Sequence, residues 1–191
     1  MKRKKILESA AIEFSRKGFH KARMDEIAEL ADVAKGTLYY NFSSKSMLFS
    51  ATVTEGLESI IKQISEKLQM DLPFKELFRI LIESTIFLYL KNNKLARILL
   101  NELSAGIDSK VLAEIENVQE RFIDFIADLL KQGQDIGHLK PMDTKLAAIG
   151  IVGQMDSLCR FYLRNPDKVV KEQIVETLFN ILSTGLMISK R

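Results

Sequence analysis

Tryptophan is absent from this 191-residue chain, cysteine occurs once and proline three times. A lone thiol, Cys159, has no partner for an internal disulfide, which excludes a stapled secreted scaffold. Nine glycines, three prolines and no sustained apolar-polar alternation leave the sequence without the punctuation and period of a β protein. Histidine is scarce too, with only His20 and His138, and no His-Glu-x-x-His run, paired Cys-x-x-Cys, Gly-rich phosphate loop or Gly-x-Ser-x-Gly elbow occurs. An enzyme built on a helical bundle is therefore a poor alternative, and no catalytic residue, metal ligand or cofactor is assigned. No stretch offers the roughly 18 uncharged apolar residues of a membrane span. Glu8, Glu13 and Arg16 interrupt what would otherwise be a leader segment. A cytoplasmic protein with no membrane partner is expected.

What remains is 47% hydrophobic and 28% charged, enough to bury a substantial core. Apolar residues recur at helical spacing between short breaks, and the expected fold class is all-α. Helices are read at 3–17, closed by Gly18, then 24–31, 35–41 and a connecting helix near 44–68 that starts through Ser43 or Ser44. Others follow near 73–91, 94–105, 109–135, 143–164 and 166–189. Residues 1–47 are assigned to a DNA-binding domain and 48–191 to an effector-binding and dimerisation domain.

The segment GFHKARMDEIAELADVAKGTLYYNFSSKSMLF, residues 18–49, is the most informative. Met24, Ile27, Ala28, Leu30 and Ala31 line one face of a short helix. Asp32, Val33 and Ala34 then interrupt, and Leu38 and Phe42 mark the buried side of a second. The opposite side of that second helix carries Lys35, Gly36, Thr37, Tyr39, Tyr40 and Asn41. In a helix-turn-helix the second helix enters the major groove, with N-terminal residues at base edges and amides, hydroxyls and lysines on phosphates. Lys35 and Gly36 suit the positive helix end. Thr37 and Tyr40 are candidates for base edges or thymine methyls, and Tyr39, Asn41 and Lys45 for phosphates.

Gly18-Phe19, Glu26-Ile27-Ala28, Lys35 to Phe42 and Ser44-Lys45, at this spacing, resemble the N-terminal domain of the tetracycline-repressor (TetR) family of transcriptional regulators. The resemblance implies an N-terminal three-helix helix-turn-helix domain and a C-terminal helical bundle for ligand binding and dimerisation. Two positions depart from the pattern. Arg23 stands where the family usually has Ser or Thr, removing a hydroxyl N-cap of roughly 1 kcal/mol, and is assigned to a phosphate instead. Asp32 holds a turn position usually given to Gly, and Asp tolerates positive φ there.

Charge distribution agrees with DNA as partner. Residues 1–47 hold ten Lys or Arg against six acids, whereas the rest carries eighteen bases and nineteen acids. The net +3 of the chain arises wholly in its first quarter. Lys2 to Lys5 taken alone could equally be a solvated, frayed terminus.

Farther along, residues 80–90, ILIESTIFLYL, have the pattern of a central helix in which Glu83 must reach solvent, find a base or line a cavity. Glu83, Phe87, Asn101, Gln154 and Arg160 are the candidate effector contacts. Asp156 and Arg160 stand four apart, and a helix-surface ion pair is the plainer reading of that pair. Gly150, Gly153 and Ser157 make a small-residue stripe. With Ile174, Leu178, Ile181, Leu182 and Gly185 of the last helix, that stripe is the candidate two-fold interface, intramolecular helix packing being the alternative. A homodimer would place two recognition helices on a palindromic operator in double-stranded DNA.

The resemblance implies the rest of the mechanism: a dimeric repressor released when a small molecule moves the connecting helix. The stretch Leu95 to Asp167 is similar to the fatty-acid-responsive, acyl-CoA-binding branch of that family, which implies an apolar effector, with a fatty acyl compound and other apolar compounds as the alternatives. A helical interaction module without sequence-specific DNA binding is the other alternative.

Overall fold

The computed structural model describes residues 2–92, 94–96, 98 and 107–188. Among them are eight helices: α1 (Lys2–Lys21), α2 (Met24–Leu30), α3 (Lys35–Asn41), α4 (Lys45–Leu68), α5 (Phe74–Lys91), α6 (Ser109–Asp135), α7 (Thr144–Arg164) and α8 (Lys171–Leu186). No strand forms among the described residues, apart from an isolated antiparallel bridge between Leu139 and Met187. The expected helix at 94–105 falls largely outside them, although 94–96 and 98 are helical.

The chain forms two compact units, Met1–Ser59 with Asn92–Val118, and Ile60–Lys91 with Gln119–Arg191. Packing thus divides the chain differently from an expected boundary at residue 47, since α4 and α6 each contribute to both units.

In the first unit α1 turns Ile6, Ala10 and Phe14 inward at four-residue spacing, all with no exposed surface. Gly18, at φ 77° and ψ 167°, breaks the helical path where the sequence ends it. Phe19 then meets the Phe49 ring at 5.1 Å, and Phe14 meets it edge-on at 5.0 Å. After α2, Asp32 takes φ 53°. The Val33 N–H reaches Ala28 O at 3.0 Å and the Asp32 N–H reaches Glu29 O at 3.0 Å, closing the helix end around a left-handed residue. Arg23 precedes α2 without any side-chain cap. Ser44 caps α4 by accepting the Met47 N–H at 3.1 Å.

In the second unit α5 is central: Phe78, Leu81, Ile82 and Ile86 have no exposed surface, and the helix packs on α7 and α8. Gly133 of α6 lies so close to Phe74 that an added Cβ would sit 2.4 Å from the ring. Asp143 caps α7 by accepting the Leu146 N–H at 2.9 Å. The last helix starts at Lys171 rather than 166, because residues 166–168 form a turn in which the Lys168 N–H takes Asn165 O at 3.1 Å, and Gln173 Oε1 then accepts the Val170 N–H at 3.2 Å. It ends at Leu186, where the Lys140 N–H takes Leu186 O and the Ile188 N–H takes His138 O.

Candidate nucleic-acid interface

Seven residues make α3, and its two sides have opposite fates. Leu38 is 0% exposed beneath it, whereas Tyr40 is 92% exposed. Lys35, Gly36 and Tyr39 are also exposed, Thr37 and Asn41 half-buried. A Cβ at Gly36 would meet nothing within 4 Å, and Ala34 ahead of it offers no side-chain cap, while the Thr37 N–H is already turned to Ala34 O at 2.8 Å. The expected DNA-contacting residues of α3 therefore share one short helix whose apolar side anchors it.

Neighbouring side chains hold that helix in place. Glu13, buried in α1, takes Lys17 Nζ at 2.7 Å and Arg16 Nη2 at 3.2 Å, and Lys17 reaches on to Glu26 of α2 at 2.8 Å. Hydrogen bonds to Glu13 and then Glu26 raise the Lys17 pKa, and the same Lys17 bond lowers that of Glu26. Lys35 Nζ lies 2.8 Å from Asp25 Oδ1 and 3.1 Å from Oδ2, and this hydrogen-bonded carboxylate raises the lysine pKa. Asn41 Nδ2 donates to Thr37 O at 2.8 Å, which commits one of its amide hydrogens within α3.

Lys45, at the start of α4, donates to His20 O at 3.0 Å and Ala22 O at 3.2 Å, with its ammonium 4.8 Å above the Phe19 ring. Two of its three N–H groups are engaged in tying α4 to the end of α1. The terminus is tied down as well: Arg3 lies 4.8 Å over the Phe42 ring and 2.6 Å from Glu55. Neither partner stood out in the sequence, because cation-ring pairs between distant segments leave no periodic signal.

The other assignments fare unevenly. Glu83 is exposed, its nonpolar neighbours on α5 buried, so it escapes to solvent instead of lining an enclosed wall. Gln154 is exposed and turns its Nε2 to Gly150 O at 3.3 Å on its own helix. Arg160 grips Asp156 Oδ2 through Nε at 2.9 Å and Nη2 at 2.6 Å, the plainer of the two readings. The Tyr89 hydroxyl donates to Asp156 Oδ1 at 3.4 Å, and burial is the main cause of its raised pKa. Phe87 is half-buried with Lys171 Nζ 5.6 Å over its ring, and Asn101 lies outside the described residues.

For the interface, Gly150, Gly153, Ser157 and Gly185 are exposed and Ile181 is 56% exposed. Ile174, Leu178 and Leu182 are instead buried within the chain, a correction to the expected stripe. That side of α8 packs on α5, where Phe179 approaches Phe78 at 6.4 Å. Apolar periodicity marks burial without saying whether the covering surface belongs to the same chain. Leu146, 67% exposed, with Ile149 and Phe161, extends the exposed stripe on α7 and went unassigned in the sequence.

The profile of the tetR family of bacterial regulatory proteins matches residues 6–52, and that of the tetracyclin repressor-like C-terminal domain matches residues 71–186. This chain belongs to the TetR family. Among curated TetR-family relatives, it is 32% identical over 150 residues to the HTH-type transcriptional regulator YhgD of Bacillus subtilis, covering 77% of this chain and 76% of that one. It is 27% identical to the HTH-type transcriptional activator FasR of Mycolicibacterium smegmatis over 97% of this chain and 83% of that one. The TetR fold also matches FadR from Bacillus subtilis, solved with stearoyl-CoA, at a TM-score of 0.86 and 22% identity over 95% of this chain and 98% of that one. This TetR protein is a DNA-binding transcriptional regulator, as its relatives are.

Proposed function

We propose that the protein is a homodimeric repressor that holds a palindromic operator in double-stranded DNA and is released by a small apolar effector, a fatty acyl compound being the favoured class. Residues 1–47 read DNA, and residues 48–191 bind effector and dimerise. The observation carrying the DNA part is the exposed Tyr40 beside the fully buried Leu38 on one seven-residue helix. Thr37 and Tyr40 meet base edges, while Arg23, Lys35, Gly36, Tyr39, Asn41 and Lys45 hold phosphates and set the register.

One such helix reads few bases, and two related by a dyad read two half-sites about one helical turn apart. Leu146, Ile149, Gly150, Gly153, Ser157 and Phe161 fall along one side of α7, and with Ile181 and Gly185 they supply a face suited to a second copy. Beside it, Leu158, Phe161, Val169 and Ile174 together with Glu172, Gln173, Glu176 and Thr177 line an open groove of about 570 Å³. The effector reading rests on the apolar α5 core and on the FadR relative crystallised with an acyl-CoA. A coupling of about 1–3 kcal/mol between effector and DNA would change operator affinity roughly 5- to 150-fold.

Selection of bound duplexes from a random pool tests the DNA reading. An enriched inverted repeat is expected, and a pool without any enriched motif would overturn it. Native mass spectrometry of protein purified from its own host tests the effector, with a retained long-chain acyl compound as the expected mass.

A further inference from the structure

The recognition helix starts with a lysine that is already neutralised. Lys35 Nζ lies within hydrogen-bond distance of both Asp25 carboxylate oxygens, at 2.8 and 3.1 Å, and both side chains are substantially exposed. Asp25 stands in the first turn of α2, where a carboxylate is favoured by the helix dipole, so its charge is held beside the start of α3 rather than on a mobile tail. A phosphate approaching Lys35 meets a cation whose charge is cancelled, and it must share or displace an anion to gain the contact.

We infer that Asp25 is an affinity-attenuating residue, an internal anion that competes with the DNA backbone for Lys35 and keeps the regulator from binding duplex indiscriminately. The inference deepens the DNA-binding reading and rests on it. Counterion release gives it a specific signature. A lysine neutralised by its own protein contributes little to the salt dependence of binding, whereas a freed one releases about one more counterion. An exposed ion pair is weak enough to be exchanged, as the contact with DNA requires.

The experiment measures binding of the 191-residue chain to a random-sequence duplex of about two helical turns, between about 50 and 200 mM salt. Asp25→Asn is expected to tighten binding several-fold, and to steepen the slope of log affinity against log salt by about one. Asp25→Ser, equally uncharged but smaller, must do the same, so that poor folding of either variant cannot mask the result. With Lys35→Met in place, neutralising Asp25 should change affinity by less than about twofold and leave the slope unchanged, because the competition has lost its object.

Unchanged slopes, weaker binding by both neutral variants, or an undiminished effect beside Lys35→Met would each overturn the inference. The last would mean that Asp25 repels phosphate directly, and weakened binding would mean that it presents Lys35 productively. A wild-type chain that binds no duplex at all would remove the DNA reading, and this inference with it.

Discussion

Opposite sides of α3 should respond oppositely to the same truncation. Tyr40 is 92% exposed, so Tyr40→Ala removes almost no buried area and should leave folding stability within about 0.5 kcal/mol. Alanine's better helix propensity, worth up to roughly 0.7 kcal/mol, even pushes the other way. If the phenol reads a base, discrimination at one operator position should fall by about 1–3 kcal/mol, a loss of roughly 5- to 150-fold. Leu38→Ala, at a residue with no exposed surface, should cost about 2–5 kcal/mol through lost transfer energy and a cavity. Paired thermal melts and duplex selections on both variants check this. The Tyr40 variant should melt like wild type and recover a motif degenerate at one symmetric position, while the Leu38 variant should melt early. An early-melting Tyr40 variant, or an unchanged motif from it, would refute the assignment of that tyrosine to DNA.

Other perturbations probe the remaining elements. A Cβ at Gly153 meets nothing within 4 Å in the single chain, so Gly153→Leu should fold normally yet run as a monomer by light scattering; an intact dimer would place the interface elsewhere. Gly133→Ala should lose about 1–3 kcal/mol in denaturant melts, because its methyl would lie 2.4 and 2.6 Å from Phe74 ring atoms. Arg23→Ser restores a helix N-cap and should raise stability by about 1 kcal/mol while weakening DNA binding, two readouts that must move in opposite directions. Burial pushes the Cys159 thiol from an ordinary 9.0 up to about 12. Native protein should therefore resist alkylation at pH 8, and the stability tied to its neutral form, complete below about 9, should drain away as pH rises toward about 12.

Most of the DNA head was legible because its signals are local. Gly18 and Asp32 sit where the chain needs positive φ, Ser44 where α4 needs a cap, and Leu38 where a seven-residue helix needs an anchor. The last helix was less legible. Its start slipped to Lys171 because a capping contact from Gln173 outweighed apolar content ahead of it. Its end followed a bridge between Leu139 and Met187, residues far apart in the chain.

Local spacing and composition sufficed for the all-helical class, the helix-turn-helix and the basic first quarter, since each depends on neighbours within a few turns of the same chain. Three-dimensional packing was needed for the rest. It assigned Ile174, Leu178 and Leu182 to the chain's own core, left Leu146 and Ile181 uncovered, brought Arg3 onto Phe42, and set Asp25 against Lys35. A one-dimensional pattern says which side chains avoid water or carry charge, whereas the partner that satisfies each is chosen only when distant segments compete for the same space.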